Sequence, residues 1–179
     1  MTNKFRNGAA GVALIAALGM STAASAADSE TATAEAEVLT ALTLVVAEGS
    51  ILDFGQVAVN GGGTIVLDPT DESNPTCSAN LVCIGDTFAV NFEITGQGDQ
   101  DVGISLPTSA VDLVRAGGVA TNAADKLELS SFVSNDADDV VTLDVDGDGG
   151  FAVGGTLTFD GSEIAGTYSG MFAVTVEYQ

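Results

Sequence analysis

The last fourteen residues of the chain, Gly166 to Gln179, alternate between two faces without a break. One face carries Tyr168, Gly170, Phe172, Val174, Val176 and Tyr178, and the other carries Thr167, Ser169, Met171, Ala173, Thr175 and Glu177. A period of two predicts a β-strand with one buried face. Because its apolar row runs to the penultimate residue and a strand backbone needs a neighbour, we expect its partner strand to come from elsewhere.

The rest of the chain repeats short alternating segments separated by turn residues. One such segment contains Phe88, Val90, Phe92 and Ile94. Clusters rich in glycine, asparagine and aspartate lie between such segments, at residues 60–63, 96–99 and 146–150. Many short strands at this spacing, without a helical period, predict an all-β fold, an immunoglobulin-like antiparallel β-sandwich. We expect one such domain over residues 41–179.

Residues 1–26 have the pattern of a secretory signal peptide. Lys4 and Arg6 precede an apolar run over residues 8–20, and Ala24-Ser25-Ala26 offers a cleavage site between small residues. The run is too short for a membrane span, and no later segment approaches the roughly 20 apolar residues that a span needs. We therefore expect export through the periplasm, a secreted or cell-surface location, and no membrane span.

The mature chain is strongly acidic. The signal peptide removes two of the four basic residues and none of the 25 acidic ones, so the net charge falls from −21 to −23. Arg115 and Lys126 are the basic residues that remain. We therefore expect neither nucleic acid nor anionic membrane surfaces as partners.

Two cysteines, Cys77 and Cys83, lie six positions apart in the exported part of the chain. The sequence contains no histidine and no further cysteine, so a zinc site lacks ligands. A close pair in an oxidising compartment predicts a disulfide bond.

The residue inventory argues against catalysis. Without histidine, neither a Ser-His-Asp nor a Cys-His nucleophile system can form. Glycoside hydrolysis by two carboxylates is chemically open, but sugar sites favour aromatic platforms. The ten aromatic residues, eight Phe and two Tyr, lie mostly at strand positions that predict core packing. We expect a protein without enzymatic activity and without catalytic residues.

One acidic turn has the spacing of a metal-binding loop. Asp144, Asp146 and Asp148 occupy positions 1, 3 and 5 of a calcium loop, and a glycine follows at position 6. The twelfth position, which an EF-hand fills with glutamate, is Gly155, and the flanks predict strands. An EF-hand is therefore rejected. Two interpretations stay open: a looser calcium-binding hairpin, with calcium as the cofactor, or a tight turn that uses Asp and Gly for their backbone freedom.

Residues 27–40 form an N-terminal extension with a second alternating row. Small apolar side chains at Ala32, Ala34 and Ala36 lead into Val38, and the row continues through Leu42 and Leu44. One interpretation is an ordinary first strand with a frayed leader. The other is a donor strand over about residues 31–40, followed by the first strand of the domain from Leu42.

The chain's ending resembles the C-terminal strand of pilus subunits assembled by the chaperone–usher route. Those subunits carry a glycine fourteen residues from the end and a penultimate aromatic residue, the positions of Gly166 and Tyr178 here. Residues 52–55, Leu-Asp-Phe-Gly, and 165–168, Ala-Gly-Thr-Tyr, are similar to segments of the spore-coat-U-like and archaic-pilin branch. The cysteine pair departs from that branch, whose cysteines join early strands. The mature chain also resembles an uncharacterised family of secreted bacterial domains.

The resemblance implies a pilin-like sandwich that acts as an exported structural or adhesive surface protein. It would assemble as a homo-oligomer or filament by β-strand addition, that is, donor-strand complementation, with a periplasmic chaperone and an outer-membrane usher as partners. The residues implied in strand exchange are Ala32, Ala34, Ala36, Val38, Gly166, Phe172, Val174, Val176 and Tyr178. The alternative function is a self-contained secreted binding module for calcium or carbohydrate.

Overall fold

A computed structural model describes residues 30–179, so the predicted signal peptide at residues 1–26 lies outside the described residues. The chain divides between Ala36 and Glu37. The described part of the first unit, residues 30–36, is exposed and has no regular secondary structure. The second unit, Glu37–Gln179, contains every strand found in the described part of the chain.

Thirteen strands are assigned within residues 30–179, together with two single-turn 3₁₀ helices at Ala123–Asp125 and Ala137–Asp139. The strands are β1 (Thr43–Val46), β2 (Gln56–Val59), β3 (Gly63–Leu67), β4 (Thr76–Cys77), β5 (Leu81–Ile84), β6 (Val90–Thr95), β7 (Asp101–Ser105), β8 (Val111–Arg115), β9 (Lys126–Ser134), β10 (Val140–Thr142), β11 (Asp148–Phe159), β12 (Tyr168–Ser169) and β13 (Thr175–Tyr178).

The largest sheet is built around β11, a strand of twelve residues. Its strands run in the order β1-β6-β11-β9-β8-β12 and are all antiparallel to their neighbours. One edge of β11 pairs first with β6 and then with β3, which in turn pairs with β4, while β9 takes the opposite edge. β11 therefore pairs with three different strands along its length.

Two smaller sheets supply the second layer of the fold. One has the order β10-β7-β13 and the other contains β2 and β5, again with antiparallel pairing. Alternate side chains of the sheets point into a shared core, as the strictly alternating burial of β6 illustrates. The largest side chains that are fully buried in this core are Ile65, Leu67, Ile94, Val102, Leu143 and Val153. The prediction of an all-β antiparallel sandwich is therefore confirmed.

The C-terminal stretch differs from the single unbroken strand that its alternation predicts. It forms β12, which pairs with β8 in the large sheet, and β13, which pairs with β7 in the second layer. Residues 170–174 cross between the two sheets without a ladder of their own. At the crossing, a Cβ on Gly170 would lie 2.7 Å from the Asp112 carbonyl oxygen, so only glycine fits this close approach.

The inward face of the stretch nevertheless persists through the crossing. Phe172, Val174, Val176 and Tyr178 all pack against the core and are all half-buried. The period of two therefore predicted the side-chain direction correctly, although the backbone changes its partner strand. We attribute this to the core itself, because both sheets bury their side chains against it.

Candidate functional site

A cleft of about 580 Å³ opens at one end of the sandwich. It is lined by residues 52–59, which include β2, by residues 163–168, and by four apolar side chains, Leu113, Leu127, Leu157 and Phe159. These four belong to β8, β9 and β11 of the large sheet. The cleft thus has an apolar floor from one layer, and β2, from the second layer, forms part of its lining.

The turn at residues 52–55 shapes the part of the cleft that leads into β2. Asp53 exchanges two backbone hydrogen bonds with Phe88, of 2.8 and 2.9 Å, and its carboxylate accepts the Gly55 N–H at 2.8 Å. Gly55 has φ of +70°, and a Cβ there would lie 2.9 Å from the Ile84 carbonyl oxygen. A glycine is required here by both its conformation and its surroundings. Phe54 fills the core below the turn.

The segment at residues 163–168 is held by the hydroxyl of Tyr168. This hydroxyl lies 2.6 Å from the Ile164 carbonyl oxygen and 3.1 Å from that of Ala124. Burial raises the pKa of Tyr168 above its usual 10.0, so the hydroxyl stays protonated and able to donate. The bond to a carbonyl a few residues upstream has the geometry of the tyrosine corner found in other sandwiches. It stabilises this part of the cleft lining.

An ion pair between the half-buried Arg115 and the buried Asp125 lies next to the same segment. The Arg115 guanidinium lies 2.6 Å from the Asp125 carboxylate, and Asp125 is 4% exposed. The same carboxylate also accepts hydrogen bonds from the Val119 N–H and from the side-chain amide of Asn122. The Val119 N–H and the Arg115 guanidinium hold the pKa of Asp125 below its usual value. A Cβ on Gly166 would lie 2.8 Å from the aliphatic stem of Arg115. No local sequence pattern marks this pair, although Arg115 is one of only four basic residues in the sequence.

The predicted disulfide between Cys77 and Cys83 is present, with a Cα–Cα distance of 6.5 Å. Cys77 belongs to β4, which joins the large sheet through β3, and Cys83 belongs to β5. Cys83 is also the register partner of Val57 on β2, which lines the cleft. The disulfide therefore ties the two-stranded sheet beside the cleft to the large sheet.

Thr40, the last residue of the predicted extension, lies near the other end of β11. The hydroxyl of Tyr178 donates to the Thr40 carbonyl and accepts the Gln97 N–H, both at 2.6 Å. Gln97 follows β6, whose last residue pairs with Asp148 at the start of β11. The cleft floor contains Leu157, nine residues further along β11. At a rise of about 3.3 Å per residue, the junction and the cleft floor are about 30 Å apart along the strand.

The residues predicted for strand exchange fall into two groups in the structure. Gly166 lines the cleft, and the row from Phe172 to Tyr178 packs half-buried on the core. Ala32, Ala34, Ala36 and Val38 are exposed, Val38 by 92%, and no strand is assigned over residues 30–42. Their role in strand exchange stays a prediction.

The acidic turn between β10 and β11 is organised around one carboxylate. The Asp144 carboxylate accepts the backbone N–H groups of Asp146 and Asp148, each at 2.9 Å. Across residues 30–179, no three Asp, Glu, Cys or His side chains are grouped closely enough to hold a metal ion. The structure therefore uses Asp144 as a turn acceptor, and calcium binding at these three residues stays a prediction.

A search of residues 30–179 for a helix long and apolar enough to cross a membrane finds none.

Comparison with curated proteins finds no match. A family profile, by contrast, matches residues 44–178, from the second residue of β1 to the last residue of β13. The matched range includes the whole cleft and leaves out the extension at residues 27–40. The chain thus belongs to the family described as Domain of unknown function (DUF4402).

Proposed function

We propose that the protein is an exported, non-enzymatic subunit of a pilin-like surface filament. In this proposal, the cleft and the free edge of β13 accept residues 27–40 of a second copy as an added β-strand. The matching donor residues are Ala32, Ala34, Ala36 and Val38, which alternate with more polar positions. A periplasmic chaperone would occupy the same groove before assembly, and an outer-membrane usher would direct the exchange; these two partners rest on the resemblance at residues 52–55, 165–168 and 178.

The second layer consists of two separate small sheets, and their free edges support the proposal of an added strand. Within residues 30–179, β13 pairs with β7 alone and β2 pairs with β5 alone, so each has one edge without a neighbour. Such edges leave backbone N–H and C=O groups that a further strand can pair with. The row at Phe172, Val174, Val176 and Tyr178 is half-buried, so it has apolar surface left to cover. One extended segment would satisfy both needs.

The positions of the cleft and the junction carry the proposal. Thr40, from which the extension starts, and Leu157, in the cleft floor, lie about 30 Å apart along β11. A donor segment that starts at one end and an acceptor groove that extends to the cleft at the other end make a head-to-tail contact, in which the two copies use different surfaces. Contacts of that kind build open filaments when the rotation between copies does not close a ring.

Deletion of residues 27–36 tests the proposal. We expect the mature protein to form polymers, and the truncated protein to stay monomeric while binding a synthetic peptide of residues 27–40. Size-exclusion chromatography with light scattering measures the first outcome, and fluorescence anisotropy of the labelled peptide measures the second. A peptide with Ala34→Gln and Ala36→Gln is the matched control, because it places bulky polar groups in the inward row.

The rival function predicts the opposite behaviour. A self-contained binding module would remain a monomer at high concentration with residues 27–36 present, and their deletion would lower its melting temperature. Those two results together would exclude the filament proposal.

A further inference from the structure

The side chain of Tyr178 makes the shortest hydrogen bond to the junction between the extension and the domain. Its hydroxyl makes two hydrogen bonds of 2.6 Å, one to the Thr40 carbonyl and one from the Gln97 N–H. Thr40 also contacts Gln97 through the side chains, at 3.3 Å. Among the hydrogen bonds of the described residues, these are the ones that hold Thr40.

The hydroxyl lies against the turn that follows β6. A Cβ on Gly96 would lie 2.5 Å from the Tyr178 hydroxyl oxygen and 2.8 Å from Leu42. The Tyr178 ring packs half-buried on the core, which places the hydroxyl beside the turn after β6. Both hydrogen bonds are therefore placed by the packing of the ring.

We propose that Tyr178 is a latch, a positioning residue that sets where the extension leaves the domain and in which direction it starts. The Thr40 carbonyl belongs to the planar peptide unit between Thr40 and Ala41. Holding that oxygen orients the last peptide before the extension. The latch also keeps the junction at the end of β11 that lies away from the cleft. Its consequence for assembly rests on the proposed function, whereas its geometry does not.

Residues 27–39 are long enough to make such a latch useful. Thirteen residues in extended form span about 43 Å, more than the roughly 30 Å between the junction and the cleft floor. The extension therefore has the length to turn back towards its own cleft. A fixed starting direction would favour the cleft of the next copy.

The second tyrosine provides a matched control. Tyr178→Phe removes a hydroxyl with two backbone partners, and Tyr168→Phe removes another hydroxyl with two backbone partners at the opposite end of β11. A nitroxide attached to Val38→Cys reports motion at the start of the extension, since Val38 is 92% exposed. Labelling without reductant preserves the Cys77–Cys83 disulfide.

We expect both variants to lose melting temperature, and only Tyr178→Phe to shift the nitroxide spectrum towards faster motion. In the unlabelled mature protein, the backbone N–H of Gln97 should exchange with solvent at least about five times more slowly than in an unstructured peptide. A factor of about five corresponds to the net free energy of one hydrogen bond. Filament formation should be slower in Tyr178→Phe than in the unsubstituted protein.

Three results would overturn the latch: unchanged nitroxide motion in Tyr178→Phe, an equal change in Tyr168→Phe, or a Gln97 amide that exchanges as in the peptide. The nitroxide and exchange measurements are made at a protein concentration too low for assembly, so that they report on the monomer. If the unsubstituted protein forms no filament, the proposed function fails while the latch is still judged by those two measurements.

Discussion

At the scale of single residues, the Arg115–Asp125 pair links β8 to the loop before β9. Because the Val119 N–H and Arg115 lower the pKa of Asp125 in the folded state, its charge stabilises the fold above the unfolded pKa. This stabilisation is lost as the pH falls through the lower, folded value. The pair therefore makes a contribution to stability that acid removes.

We predict that the difference in unfolding free energy between the unsubstituted protein and Asp125→Asn is constant above about pH 5 and shrinks below about pH 4. Urea titrations at several pH values measure it. Asp112→Asn is the control, because its ion pair with Lys126, at 2.8 Å, is exposed and should contribute less than about 1 kcal/mol. A difference that does not depend on pH would contradict the role given to Asp125.

Gly166 provides the second prediction at this scale. Its φ lies outside the left-handed region, so the glycine is explained by the Arg115 stem, 2.8 Å from where a Cβ would be. We expect Gly166→Ala to lower the unfolding free energy by about 1 kcal/mol, because the added Cβ would displace the Arg115 stem. In an Arg115→Ala background, the same change should cost less than about 0.5 kcal/mol. Equal costs in both backgrounds, measured by denaturant unfolding, would rule out this explanation.

At the scale of elements, the alternation of the C-terminal stretch predicts the direction of its side chains but not its partner strands. Side-chain direction follows from the period of two, and the row from Phe172 to Tyr178 faces the core as predicted. Ladder partners depend on which sheet offers a free edge, and the stretch uses β8 first and β7 afterwards. Residue 170 has to be a glycine at the crossing because of the nearby Asp112 carbonyl oxygen. No local sequence pattern predicts this contact.

The sheet of β2 and β5 is the element we expect to depend most on the disulfide. A two-stranded sheet is marginally stable alone, and the Cys77–Cys83 bond ties it to the large sheet through β4. We predict that Cys77→Ser with Cys83→Ser lowers the unfolding free energy by about 2 kcal/mol. Hydrogen exchange should rise first in residues 56–59 and 81–84, while β9 and β11 stay protected. A uniform rise in the exchange rate across all strands would contradict the stabilising role given to the disulfide.

The predicted binding of calcium to the turn between β10 and β11 can be tested by thermal unfolding. If Asp144, Asp146 and Asp148 bind the ion in the folded state, millimolar calcium should raise the melting temperature. Matched ionic strength in NaCl or MgCl₂ controls for screening of the acidic chain. Calorimetry of Asp146→Ala provides the second control. A shift that is the same in all salts, or the same in the variant, would leave Asp144 as a turn acceptor only.

At the scale of the whole molecule, the predictable features were those with local signals. Alternation with glycine-rich turns predicted the sandwich, and the close cysteine pair predicted the disulfide. The cleft and the latch were not predictable, because they join distant parts of the chain: Tyr178 and Thr40 are 138 positions apart. The resemblance at residues 52–55 and 165–168 marked two segments of the cleft lining, but not that they meet there.

The charge of the molecule leads to the last prediction. The two basic side chains within residues 30–179, Arg115 and Lys126, are paired with carboxylates of their own domain, and residues 27–40 carry four acidic and no basic side chains. Docking of that segment therefore brings like charges together, which slows association when screening is weak. We predict that its association rate with the protein lacking residues 27–36 rises about tenfold from about 10 mM to about 500 mM NaCl. Stopped-flow anisotropy measures the rate. A peptide with the four carboxylates replaced by amides should show little dependence on salt; equal dependence for both peptides would exclude charge repulsion as the barrier.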